Sequence, residues 1–172
     1  MRLELAERLR CPNPHAPTPL VVVSGRKRDR ELLEGFAGCP CCQLEVPIVE
    51  GHVRFAGNAP LSTASEARIA PDLDRLVALL GLGEPEGTVL LTGRYGLVAE
   101  ALAEATGVSV ILMHAARVWP ASELVSAVLG APPRVPFTDV TFRAAALDAE
   151  TPGAIGADAV RAVAMGVNTI SS

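Results

Sequence analysis

The sequence lacks any apolar run long enough to cross a membrane. Its most apolar stretch, residues 108–116, is about half the roughly 20 residues that a spanning helix needs. It also lacks an excess of positive charge, because 15 Lys and Arg side chains stand against 19 Asp and Glu side chains. A general attraction to nucleic acids or membrane surfaces is therefore excluded. Residues 1–5 lack the apolar core of a signal peptide, so we expect a cytoplasmic protein.

Charged residues are few, at 20% of the chain, whereas hydrophobic residues make up 49%, which excludes an intrinsically disordered chain. The 172 residues suffice for one domain, or two small ones, with a proper core. Cysteine is scarce as well, and all four cysteines lie within the first 42 residues. In a cytoplasmic protein such thiols are more often metal ligands or free thiols than disulfides.

The cysteines predict a tetrahedral metal site. Two of them are separated by two residues, which is the spacing of a turn that directs two thiolates at one ion, and an earlier Cys-x3-His pair can complete the set. The predicted zinc ligands are Cys11, His15, Cys39 and Cys42. Two alternatives stay open, with Cys41 replacing Cys42 or His52 replacing His15. Metal binding would contribute to the folding of so small a unit.

A basic segment follows the first predicted strand, residues 20–23. Arg26, Lys27, Arg28 and Arg30 form a charged hairpin tip or loop that could contact RNA phosphates. No aromatic residue lies among them to stack on bases, so a solvated loop is the favoured interpretation.

The second part of the chain alternates helical and strand patterns. Helices are predicted over residues 72–81, 97–106 and 155–165, and strands over 88–93, 108–113, 140–147 and 167–170, with 124–129 a strand or a short helix. The strand–helix–strand unit over residues 88–113 predicts parallel pairing with a right-handed connection. Gly93 and Gly96 lie in the turn after its first strand, where a glycine lets backbone N–H groups approach a ligand.

These patterns predict an α/β protein. Residues 1–57 carry all the cysteines and eight basic against seven acidic side chains, and they form a small zinc-ribbon-like β unit. Residues 58–71 are the predicted linker. Residues 72–172, with seven basic and twelve acidic side chains, form a shortened Rossmann-like parallel sheet with flanking helices.

Residues 1–57 resemble the short zinc-ribbon proteins that act as small partners of methyltransferases modifying tRNA and translation factors. The shared features are an early Leu-x-Cys-Pro segment, the Gly-Cys-Pro-x-Cys of residues 38–42 and the Val-Pro-Ile-x-Glu-Gly turn of residues 46–51. The resemblance implies zinc binding and a methyltransferase as partner protein. Pro14 stands where that family usually has its second cysteine, and His15 is the nearest donor.

Residues 72–172 resemble a class I S-adenosylmethionine-dependent methyltransferase, through the first strand–helix–strand unit, the segment 129–143 and the helix ending near Gly166. The resemblance implies that Gly93, Gly96 and His114 would contact the cofactor. His114 replaces the acidic residue that usually accepts hydrogen bonds from the ribose, and two other acidic positions of the family are lost. Each lost hydrogen bond to a charged acceptor costs roughly 1.5–3 kcal/mol.

We therefore expect a non-catalytic, zinc-binding, methyltransferase-like interaction or assembly protein that has lost S-adenosylmethionine binding. The alternative is an active methyltransferase acting on RNA or a translation protein, with His114 or Glu100 replacing the missing acids; His114 is also a candidate catalytic base. An open sheet that ends on the last predicted strand, residues 167–170, leaves an edge that a homodimer or a partner protein would cover.

Overall fold

The computed structural model describes residues 1–55 and 69–163, and the backbone of residues 169–171. The predicted linker over residues 58–71 thus lies mostly outside the described residues. None of the helices in these ranges combines the length and apolar character that a bilayer-spanning segment requires.

The first part of the chain is built from short strands that follow one helical turn. Its elements are α1 (Leu3–Ala6), β1 (Val21–Ser24), β2 (Lys27–Arg28), β3 (Glu31–Leu32), β4 (Gly35–Gly38), β5 (Glu45–Val49) and β6 (His52–Arg54). Strands β1, β4, β5 and β6 pair antiparallel in the order of the chain. The predicted charged hairpin is confirmed, since β2 and β3 form a separate antiparallel pair.

The second part alternates helices and strands as expected. Its elements are α2 (Leu73–Leu80), β7 (Thr88–Gly93), a 3-10 helix (Arg94–Val98), α3 (Ala99–Thr106), β8 (Ser109–Ala115), β9 (Val125–Leu129), β10 (Ala144–Leu147), α4 (Gly153–Ala162) and β11 (Thr169–Ser171). Helix α2 begins at Asp72, whose side chain accepts a hydrogen bond from the Arg75 amide at 2.9 Å. It ends at Gly81 in the left-handed conformation, which a side chain would disfavour.

The five strands of the second part lie side by side in the order β9-β8-β7-β10-β11, and all pair in parallel. Numbered from β7, this is the order 3-2-1-4-5 of doubly wound nucleotide-binding folds. The structure is therefore a mixed α/β fold, consistent with a Rossmann-like arrangement.

The two parts share one nine-stranded sheet. Strand β6 pairs in parallel with β9, with Val53 beside Val128 and Arg54 beside Leu129. The pairing continues at Phe55, whose amide donates to the Leu129 carbonyl at 2.9 Å. The small β unit thus covers the β9 edge of the parallel strands, and the sheet's outer described strands are β1 and β11.

Both faces of the parallel strands are covered. One face contributes Leu90 and Ile111 to a core cluster that also holds Leu5 and Leu9 of the N-terminal segment, together with residues of α4. The other face packs against α2 and α3. The N-terminal segment therefore belongs to the core of the α/β half as well as to its own unit.

Several predicted elements change in detail, and the helix predicted over 97–106 begins only at Ala99, after the 3-10 helix. The segment 124–129 is a strand, not a helix, and it is buried on both faces up to Val128. The strand predicted over 140–147 begins only at Ala144, because Val140 has a φ of +56° and belongs to a turn. The predicted helix over 155–165 is present as α4, but it begins earlier, at Gly153, and ends earlier, at Ala162, because Val163 is extended.

Candidate metal centre and strand-end crevice

Two turns bring the predicted metal ligands together. The first turn is closed by a hydrogen bond from the Cys11 amide to the Thr18 carbonyl at 2.9 Å. The second turn directly follows β4, where the Gln43 amide donates to the Cys39 carbonyl at 3.0 Å and the Cys39 amide donates to the Leu44 carbonyl at 2.8 Å. These backbone contacts hold the two turns that carry the ligand side chains.

The ligand atoms of Cys11, His15, Cys39 and Cys42 all lie within 4.8 Å of one another. Sγ of Cys11 is 3.6 Å from Sγ of Cys42, and Nε2 of His15 is 3.1 Å from Sγ of Cys11 and 3.5 Å from Sγ of Cys39. Thiolates bound tetrahedrally to zinc at about 2.3 Å lie about 3.8 Å apart. The cluster is therefore close enough to hold a metal ion, and its three sulfurs and one nitrogen are consistent with zinc.

Neighbouring groups orient two of the ligands. Nδ1 of His15 lies 2.7 Å from the Ala16 carbonyl, so a proton on Nδ1 leaves the lone pair of Nε2 facing the cluster. The Asn13 side-chain amide donates to Sγ of Cys42 at 3.3 Å. Such second contacts hold ligands in their binding geometry.

The ligands differ in acidity because they differ in surroundings. Burial raises the pKa of the Cys11 thiol to about 12, whereas the backbone amide of Leu44 and the Asn13 side chain lower the pKa of Cys42 to about 6. A hydrogen bond to the Ala16 carbonyl raises the pKa of His15. A bound cation favours the thiolate form of every cysteine around it, so binding would release protons.

The two alternative ligands lie outside this cluster. Cys41 is exposed, and its Sγ lies 3.5 Å from Oγ1 of Thr18. His52 is buried in the sheet, where Nδ1 accepts a hydrogen bond from the Ala127 amide at 3.0 Å. Burial lowers the pKa of His52, which suits a neutral ring that satisfies a strand amide.

The space beside Gly93, at the end of β7, is filled by the side chain of Asp148 and not left open for a ligand. The φ of +50° and ψ of −130° at Gly93 suit glycine, and a Cβ built on it would overlap the side chain of Asp148. Oδ2 of Asp148 accepts a hydrogen bond from the Arg94 amide at 2.6 Å. The Asp148 carboxylate thus already uses the Arg94 amide, the first backbone donor of the 3-10 helix.

Gly96 also serves a close internal contact. A Cβ on it would lie 2.7 Å from the Cβ of Ala115, at the end of β8. The indole of Trp119 donates to the Gly96 carbonyl at 2.8 Å, and the Arg117 guanidinium stacks on that indole at 3.6 Å. The 3-10 helix is therefore packed directly on the end of β8.

His114 lies one residue before the end of β8, so the three predicted cofactor residues share the carboxyl edge of the parallel strands. Its φ is +49°, and burial lowers its pKa. Among the described residues, Nε2 of His114 has no hydrogen-bond partner. Glu100, the other candidate for the missing acid, is exposed at the start of α3.

We call the carboxyl edge of the parallel strands around Gly93, Gly96 and His114 the strand-end crevice, and sequence reasoning missed the groups that close it. Thr92 Oγ1 lies 2.6 Å from Oγ1 of Thr151 and accepts a hydrogen bond from the Asp148 amide at 2.9 Å. The available signal was an acidic residue placed directly after the buried strand β10. The loop after β10 is thereby tied to the end of β7.

Comparisons with known proteins add no relative: no protein-family model matches the chain, and a search of curated proteins finds no similar sequence.

Proposed function

We propose that this protein is a non-catalytic, zinc-binding interaction or assembly protein whose methyltransferase-like half does not use S-adenosylmethionine. The observation that carries the proposal is the carboxylate of Asp148, which accepts the Arg94 amide and fills the space above Gly93. In nucleotide-binding folds, the turn after the first strand offers its amides to the ligand.

The position of Asp148 opposes cofactor binding. Its side chain takes the space that a glycine at the end of β7 would leave for a ligand, and its carboxylate already accepts the Arg94 amide that a ligand would use. Losing the ribose-binding acid at His114 would remove a further charged hydrogen bond.

The zinc would be structural. A site with four protein ligands has no open position for a substrate or a reacting water. The unit that this site holds together provides β6, which pairs with β9. The partner role implied by the zinc-ribbon resemblance would then be served within the chain, with the small unit supporting its own α/β half.

Calorimetric titration of the zinc-loaded protein with S-adenosylmethionine and S-adenosylhomocysteine tests the loss of cofactor binding. We expect no heat of binding up to millimolar ligand. A zinc determination and a cooperative unfolding transition on the same sample establish that the protein is folded. Micromolar binding would overturn the proposal and support the alternative, an active methyltransferase acting on RNA or a translation protein.

For assembly, we propose a homodimer formed through β1, an outer strand of the sheet. Val21 and Val23 of β1 are exposed, and Phe36 of the adjacent β4 is exposed beside Val23. Antiparallel pairing of two β1 strands across a two-fold axis would satisfy their outer backbone groups and bury these side chains.

Light scattering after size exclusion tests the dimer. We expect a dimer for the natural protein and a monomer for Val23→Lys, because a lysine on an edge strand opposes pairing. Val160→Lys on α4 is the matched control, since Val160 is 60% exposed and Val23 is 45% exposed. A monomeric natural protein, or equal effects of the two variants, would overturn the dimer.

A further inference from the structure

A groove of about 470 Å³ lies at the amino edge of the parallel strands, opposite the crevice described above. Strands β7 and β8 begin in its wall at Thr88 and Ser109, and residues of α1 form another wall. Its charged lining consists of Arg2, Glu4, Arg8, Arg30 and Arg143. Four guanidinium groups against one carboxylate make this a basic site on a protein of net charge −4.

Several arginines are held in place by the fold. Arg143 donates to the carbonyls of Gly81 at 2.8 Å and Glu84 at 3.0 Å. Arg2 donates to Oγ of Ser109 at 3.5 Å. Arg143 is thus a fixed positive charge in the groove wall, with donors already used by backbone carbonyls.

Glu4 lies between two of these arginines. One carboxylate oxygen forms an ion pair with Arg30, and the other lies 3.8 Å from Nε of Arg2. The side chains of all three residues are partly exposed, so this pairing is weak and open to exchange. The Glu4 carboxylate marks a position at which an anionic oxygen is stabilised by Arg2 and Arg30 together.

We propose that this groove binds the phosphodiester backbone of a single-stranded nucleic acid, with phosphate oxygens replacing the Glu4 carboxylate between Arg2 and Arg30. Guanidinium groups bind phosphates through paired, charge-assisted hydrogen bonds. The positive charges of four arginines in one groove suit successive phosphates better than a single one. The only aromatic residue in the lining, Phe142, is buried and offers no face for base stacking, so binding would be independent of sequence.

The β2–β3 hairpin adjoins the groove at Arg30. Arg30 joins the hairpin to the groove, and its side chain is 75% exposed. Lys27 and Arg28 of β2 are exposed next to it along the chain. The segment is an antiparallel strand pair, not a loop, and it places further cations next to the groove, towards which a bound strand could continue.

The test is fluorescence anisotropy of a labelled RNA 12-mer with the zinc-loaded full chain. If the strand makes about three phosphate contacts, the logarithm of affinity should fall with the logarithm of salt with a slope of about −2. This corresponds to roughly 20-fold weaker binding at 200 mM than at 50 mM salt. Tripolyphosphate and ATP serve as competitors that carry phosphates without a strand.

Three variants make the test specific. We expect Arg30→Gln to weaken binding about fivefold and to reduce the salt slope by about 0.7. We expect Glu4→Gln to strengthen binding, because it removes the internal competitor for Arg2 and Arg30. Arg54→Gln is the matched control, since it makes the same charge change at the opposite edge, where Arg54 pairs with Leu129.

Specific outcomes would overturn the proposal. If Arg30→Gln and Arg54→Gln weaken RNA binding equally, binding depends on the overall charge of the protein and not on the groove. Competition by tripolyphosphate or ATP at the concentration at which unlabelled RNA competes would mean a site for free phosphates instead of a strand. Absence of RNA binding at 50 mM salt, with zinc content and unfolding of the sample normal, would remove the site altogether.

Discussion

The neighbouring residues Cys41 and Cys42 allow a direct test of the metal centre. Both are exposed thiols in the same turn, but only Sγ of Cys42 lies in the ligand cluster, whereas Sγ of Cys41 lies beside Thr18. We therefore predict that Cys42→Ser weakens zinc binding strongly and that Cys41→Ser leaves it nearly unchanged. The two substitutions make the same chemical change one residue apart, so each serves as a control for the other.

The magnitude follows from the number of ligands. Structural zinc sites in small domains contribute roughly 10–16 kcal/mol of apparent binding free energy, so each of four ligands accounts for about 2.5–4 kcal/mol. Loss of one ligand should weaken affinity about 10²–10³-fold. At a free zinc concentration above both dissociation constants, stability falls by the same amount. For a chain of this size, that loss lowers Tm by roughly 5–16 °C.

Competition with a chromophoric zinc chelator gives the affinity, and thermal unfolding at fixed free zinc gives Tm. Addition of EDTA should bring the natural protein and Cys42→Ser close to the same Tm, because the difference between them lies in the metal. The reasoning is refuted if Cys41→Ser and Cys42→Ser weaken zinc binding equally, or if the natural protein binds no zinc at one ion per chain.

Two further predictions concern groups away from the metal. Asp158 accepts hydrogen bonds from Nε of Arg161 at 2.8 Å and from a backbone amide, so Asp158→Asn should lower the free energy of unfolding by about 1.5–3 kcal/mol. Burial raises the pKa of Asp158, but the opposing effect of Arg161 is larger, so the pKa in the folded protein lies below the ordinary 3.8. The ionised carboxylate therefore stabilises the fold fully above pH 3.8, and this stabilisation is lost as pH falls through the pKa of the folded state. The difference in free energy of unfolding between the natural protein and Asp158→Asn, measured in urea, should thus stay constant between pH 7 and pH 5. A difference that shrinks over this range would contradict the proposed role of Asp158. Gly93→Ala should cost about 2–5 kcal/mol, because it adds a collision with Asp148 to backbone strain. Gly81→Ala meets no atom within 4 Å and should cost only the strain, about 1 kcal/mol, so equal losses in the two variants would argue against a filled crevice.

The elements with strong local signals could be predicted from the sequence. Strand β7 has the predicted bounds because a buried apolar run ends at a glycine, and α2 has a capping aspartate at one end and Gly81 at the other. The pairing of β6 with β9 could not be predicted, since it joins residues about 75 positions apart. Register between distant strands depends on tertiary packing, which leaves no local pattern.

The same division applies to the candidate site. The metal cluster was predictable because each pair of ligands lies on one short turn. The choice of Cys42 over Cys41 followed from the two-residue spacing after Cys39, and the folded turn confirms it, since Cys42 lies in the cluster. The closing of the crevice could not be predicted from the sequence, because Asp148 follows β10 and contacts the Arg94 amide only in the folded sheet.

The sheet and the core together make the two parts of the chain mutually dependent. Without residues 1–55, the backbone of β9 would lose its partner β6, and the face holding Leu90 and Ile111 would lose its cover of Leu5 and Leu9. Parallel strands are stable only when both faces are covered. We therefore predict that a fragment comprising residues 69–172 has no cooperative thermal transition, whereas the full zinc-loaded chain unfolds in one transition. Calorimetry of both proteins decides this, and cooperative unfolding of the fragment would mean that the parallel strands need neither β6 nor the N-terminal segment.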